Sequence, residues 1–150
     1  RLRSFDRTLA FSPAGFVFLH DWVELAGTPP VRLDWLFNSA GSLTLDPDGA
    51  RFANGRARMR LVHRSILPVN TSIGHDHTEL VPGGEPRPLP YLRLATRCET
   101  ASADLFALLV PCNETAEPGA MLKTNDHGAI FRCGGDSWQY HASSRTVVRL

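Results

Sequence analysis

Three groups of residues in this chain have types and spacing suited to chemistry. His20 and Asp21 stand side by side at the end of the apolar stretch in "AFSPAGFVFLHDWVEL". An adjacent imidazole and carboxylate suggest acid–base work, but neighbours along an extended strand point to opposite faces, so the two cannot serve each other. His75 and His77, in "HDH", share one face of any extended segment, a spacing that offers two imidazoles to a transition metal. Two ligands do not complete a site, and incidental histidines in a solvated loop look the same. In "RARMR", Arg56, Arg58 and Arg60 would project from one strand face while Ala57, Met59 and Leu61 line the other. Arginines spaced about 7 Å apart are either the solvated side of a half-buried strand or a comb for the carboxylate and sulfate groups of an acidic glycan. The sequence contains no glycine-rich phosphate loop, Cys-x-x-Cys pair or nucleophile elbow, and no complete catalytic set.

The elements that must hold these residues are bounded by length and composition. With 150 residues, 43% of them hydrophobic, the chain can bury one good core, so residues 1–150 are expected to form a single domain. A net charge of +1 argues against a general nucleic-acid binder. Fifteen of the sixteen basic residues are arginine, Lys123 being the exception, which reflects either coding bias or a use for the bidentate guanidinium. No apolar run approaches the roughly 20 residues that span a bilayer as a helix, so no membrane partner is expected. Cys98, Cys112 and Cys133 leave one thiol over in any pairing and lack metal-ligand spacing, which argues against a disulfide framework. The chain opens on Arg1 with no leader pattern and reads as a fragment of a larger protein.

Hydrophobic periodicity is two nearly throughout. Strands are expected over 4–11, 16–23, 31–38, 56–63, 91–98, 104–110, 128–133, 137–142 and 145–150. Turn clusters at 46–49, 54–55, 82–90 and 133–136 separate some of them, and the irregular stretch 71–90 reads as a long surface loop. Many short strands with Gly and Pro between them predict an all-β fold, an antiparallel two-sheet β-sandwich. One register can be derived outright. "SPAG" at 12–15 places Pro13 where a type I turn fixes φ and Gly15 where a left-handed residue must follow, selecting a three-residue hairpin loop. Paired residues then sum to 28, so Leu9 meets Leu19, Phe5 meets Val23, and Arg7 meets Asp21 as a structural ion pair.

The stretch "RSFDRTLAFSPAGFVFLHDWVELAGTPPVRLDWLFN" resembles the opening of the C-terminal β-sandwich of heparinase II/III-like polysaccharide lyases. There an Arg-bearing strand leads to a strand ending in Asp, then a linker and a Trp-containing strand. "YLRLATRCETASADLFALLVPCNE" is similar to a later part of the same pattern, and the two stretches together make up 60 of the 150 residues. The resemblance implies a C-terminal accessory domain of an enzyme that cleaves acidic, uronate-containing polysaccharide by β-elimination, non-catalytic on its own. Its catalytic His and Tyr would come mostly from a preceding helical domain, and a periplasmic or secreted location would follow. It also implies a zinc or other divalent metal in the parent protein, with Asp21 matching a ligand; where the Trp strand often ends in His, this chain has Asn38. The family's His-Asn motif is not found. Outside that family, the same fold would suit an independent carbohydrate-binding module or a purely structural interaction domain.

Overall fold

The computed structural model describes residues 2–13, 15–79, 84–113 and 119–150, with the backbone alone of His77 and Glu79. The described residues form thirteen strands and no helix: β1 (Leu2–Phe11), β2 (Val17–Leu25), β3 (Val31–Asn38), β4 (Ser42–Asp46), β5 (Gly49–Asn54), β6 (Ala57–Arg64), β7 (Asn70–Glu79), β8 (Arg87–Cys98), β9 (Ser102–Cys112), β10 (Ala120–Asn125), β11 (Gly128–Cys133), β12 (Asp136–His141) and β13 (Thr146–Arg149). The fold is an all-β antiparallel sandwich. It has three sheets where periodicity alone led us to expect two: a six-stranded sheet ordered β1-β2-β9-β6-β5-β4, a four-stranded sheet β10-β11-β12-β13 and a three-stranded sheet β3-β8-β7.

The extra layer follows from strands that are apolar on both sides. On one face of the six-stranded sheet, Leu19, Val23, Leu61, Leu105 and Ala107 pack with Trp35, Leu92 and Leu94 of the three-stranded sheet. On the other, Phe18, Val62, Phe106 and Leu108 pack with Leu122, Phe131 and Tyr140 of the four-stranded sheet. The continuous run "LFALLV" within β9 is what a strand buried on both faces requires, because no position along it can be given to water. Phe18 stacks on Phe131 with ring centroids 4.6 Å apart, tying the second core across the layers.

The β1–β2 hairpin has the register that its turn residues dictate. Ser12 N–H donates to Phe16 O at 3.0 Å, Gly15 N–H donates to Ser12 O at 2.9 Å, and Gly15 takes φ +89°. Arg7 then lies opposite Asp21 and Thr8 opposite His20. The segment read as a loop is different. Asn70–Glu79 is a polar edge strand, and β8 begins at Arg87 rather than Tyr91. Its sequence hid this because only Ile73 is strongly apolar; an edge strand with one solvated face needs little more, and pairing with β8 supplies the rest.

Candidate functional site

Alternation along β2 sends His20 and Asp21 into different cores. Asp21, fully buried, faces the three-stranded sheet side with its odd-numbered neighbours Leu19 and Val23. Both its oxygens are held by one guanidinium: Arg7 Nε donates to Oδ1 and Nη2 to Oδ2, each at 2.7 Å. The carboxylate in turn raises the Arg7 pKa, against the opposing effect of burial. A metal cation does not fit here, since it would have to displace a positive group that already occupies both carboxylate oxygens.

His20 faces the four-stranded sheet and is 6% exposed. Its ring stacks on Phe106, the residue directly opposite on β9, at 4.5 Å with an interplanar angle of 6°. Nε2 lies 2.7 Å from Oδ1 of Asp104, and Nδ1 lies 2.9 Å from the hydroxyl of Tyr140. An ionised carboxylate can only accept, which assigns the proton to Nε2; in the neutral ring Nδ1 then accepts from the Tyr140 hydroxyl. The result is a carboxylate–imidazole–phenol chain running from β9 through β2 to β12. The distances suit proton movement, but Tyr140 is fully buried, so its phenol has no path to a substrate.

Only the Asp104 end of the chain reaches open space. His20, Asp104, Trp22, Thr8, Asp6 and Arg145 contribute to the lining of a cavity of about 350 Å3 between β1, β2 and the β12–β13 turn. Arg145 adopts φ +56°, uncommon for a residue with a side chain, and its Nη2 donates to Asp6 Oδ2 at 3.0 Å. Two polar links, His20 to Tyr140 and Arg145 to Asp6, therefore stitch the four-stranded sheet to the central one. Chemically the arrangement is a polar staple beside a small hydrophilic cavity. Nothing in the sequence signalled it: Tyr140 and Asp104 lie 120 and 84 residues from His20.

The remaining expected site residues are dispersed. β6 starts at Ala57, one residue later than anticipated, so Arg56 sits in the β5–β6 turn and not on the strand face. The reason is the two-residue turn at Gly55 and Arg56, which Asn54 pairing with Ala57 closes. Arg58 Nη1 donates back to Gly55 O at 2.6 Å, while Arg60 lies 3.0 Å from Asp48 and 3.3 Å from Asp46. His75 is exposed on β7, in a different sheet from Asp21. The register shift between Gly74 and His77 inserts an extra residue, so the strict alternation assumed for His75 and His77 does not run through it; the His77 side chain lies outside the described residues. Among the described residues no three His, Cys, Asp or Glu side chains gather as a metal site, and all three cysteines are free thiols.

Comparison with known proteins gives the fold a precedent. A heparan sulfate lyase, the HepC mutant from Pedobacter heparinus, superposes on 90% of this chain with a TM-score of 0.59 at 10% sequence identity. At that identity what is shared is the fold, and the match spans 22% of the lyase chain. No family model matches the sequence, and no curated protein does.

Proposed function

We propose that this chain is the β-sandwich unit of a polysaccharide lyase acting on an acidic, uronate-containing polysaccharide, and that it supports the enzyme and contacts glycan without performing the elimination. The observation that carries this reading is the likeness in fold to a heparan sulfate lyase over 90% of the chain. The chemistry of the described residues supports the non-catalytic part. In the carboxylate–imidazole–phenol chain the phenol is sealed between two sheets, and only Asp104 and His20 line the cavity. In this reading a preceding helical domain is the catalytic partner.

The test is to incubate the purified 150-residue chain with heparan sulfate and with alginate and to follow the ultraviolet absorbance of unsaturated uronate. We expect none. Product that grows with the concentration of this chain would overturn the non-catalytic assignment. Fusion to a helical lyase domain whose own activity is low should raise its turnover; unchanged turnover would favour an independent carbohydrate-binding module or a structural interaction domain.

A further inference from the structure

The outer face of the three-stranded sheet has a different character from the two cores. We infer that the groove across this face is a subsite for the oxyanion, carboxylate or sulfate, of an acidic sugar, gripped by Arg32, Arg97 and Arg93. The inference rests on the acidic-glycan reading proposed above.

Arg32 on β3 and Arg97 on β8 are directly opposed in the register, and both side chains are largely exposed. Like charges in that position disfavour the sheet, so the fold gains nothing from the pair itself. Each directs Nε to a carboxylate two residues further along the chain, Arg32 to Asp34 on β3 at 3.2 Å and Arg97 to Glu99, just past the end of β8, at 2.7 Å. With Nε engaged and each side chain more than half exposed, the two opposed guanidinium groups can offer Nη to an anion, the edge with which a guanidinium grips a planar oxyanion. An anion bridging them would convert a repulsion into two charge-assisted contacts.

The hollow itself is made by one small residue. Along the outward side of β8 the order is Arg93, Ala95, Arg97, and Ala95 is flanked by Asp34 on β3 and Asn70 on β7. With only a methyl group at its centre, the face dips into a groove of about 560 Å3 whose walls include the three arginines, Asn70 and Ser72. Asn70 and Ser72 are exposed and offer the amide and hydroxyl partners that sugar hydroxyls need. At the far end, Arg93 donates through Nη2 to Asp34 at 2.6 Å, while its Nε is buried with no hydrogen-bond partner. Four residues of strand separate Arg93 from Arg97, about 13 Å, so the groove can meet more than one acidic group of a chain. Arg60, by contrast, lies between Asp46 and Asp48 and presents no such open fork.

Binding of the intact chain to four polymers decides the matter: heparan sulfate, alginate with carboxylates alone, dextran sulfate with sulfates alone, and neutral dextran, each by titration calorimetry at low salt. The double variant R32S/R97S should lose about tenfold or more in affinity for the acidic polymers, given the usual strength of charge-assisted contacts. R32K/R97K should recover part of it, because lysine keeps the charge and loses the fork. R56S/R58S, at the β5–β6 turn, should match the parent. Thermal melts should show all variants folded, since the substituted side chains face solvent. Whether alginate or dextran sulfate retains the affinity identifies the oxyanion. Equal binding by the parent and R32S/R97S overturns the groove and leaves the lyase reading in place. Dextran bound as tightly as heparan sulfate overturns both, and an absence of binding to all three acidic polymers overturns the groove.

Discussion

Arg7 and Asp21 are unequal partners, and the inequality predicts which substitution hurts more. Asp21 has no exposed surface, whereas the Arg7 side chain is 45% exposed. Arg7→Ala abandons a buried carboxylate and should cost about 3 to 5 kcal/mol. Asp21→Ala leaves a guanidinium that can turn to water, and should cost less, about 1 to 3 kcal/mol for the lost charge-assisted bonds. Urea denaturation of the two variants checks the order; an Asp21→Ala cost equal to that of Arg7→Ala would mean the pair is not the constraint described. The His20 chain behaves by the same logic. Tyr140→Phe removes the only described partner of Nδ1 and should cost about 1 to 3 kcal/mol. A further His20→Phe change in that background should recover part of the loss, because Asp104, 22% exposed, can be hydrated. A double variant less stable than both single ones would refute that account. The Arg7–Asp21 contact was legible because one turn motif fixes a register over eight residues of strand, Ser4 to Phe11. The His20 contacts were not, since no local rule relates β2 to β9 or to β12.

At the scale of elements, strands are readable where one or both faces are apolar and are lost where neither is. Val31–Asn38 and Gly128–Cys133 stand where the sequence places them. β4, β5 and β10 are not among the strands that periodicity places, and β7 is polar. Gly74 explains how β7 stays in the sheet. It pairs with Tyr91, whose ring lies where a side chain would be: a Cβ at Gly74 would come within 2.2 Å of the Tyr91 ring. The Tyr91 hydroxyl is fixed by Asp76, which raises its pKa, so the ring cannot easily yield. Gly74→Ala should therefore destabilise by about 1 to 3 kcal/mol, and the cost should largely vanish in a Tyr91→Ala background; calorimetric melting of the cycle tests it. β6 contributes a pH dependence. Burial and then Arg64 push the His63 pKa down, Asp48 opposing them, while Thr71 lies 3.2 Å from its Nε2. The unfolded chain takes up a proton at about pH 6.5, before the folded one does. The stability from neutral His63 is thus fully present above that pH and is lost as pH falls toward the depressed folded value. His63→Gln should flatten the fall in melting temperature between about pH 7.5 and 5.5; an unchanged slope would assign the acid sensitivity elsewhere.

For the molecule as a whole, the middle sheet is the part on which both cores depend. Cutting the chain after residue 113 removes the four-stranded sheet and uncovers Phe18, Phe106 and Leu108 together. Such a truncation should bind a hydrophobic dye and associate at micromolar concentration, measured by fluorescence and light scattering; a monomeric, dye-silent product would mean the outer sheet is dispensable. Composition and periodicity gave no view of this arrangement, because they report which residues avoid water and not which sheet they avoid it with. β9 has the most telling place in it. It enters between β2 and β6, joining the β1–β2 hairpin to the β4-β5-β6 meander, although both precede it in the chain. Were the β1–β2 hairpin and the β4-β5-β6 meander to form before residue 102 is made, the nascent chain would hold two half-sheets, each with an open hydrogen-bonding edge where β9 belongs. Any extended apolar peptide that arrives before β9 does, including β9 of a neighbouring nascent chain, can be captured there. On that order of events, prompt arrival of Ser102–Cys112 would guard the two open edges against pairing between chains.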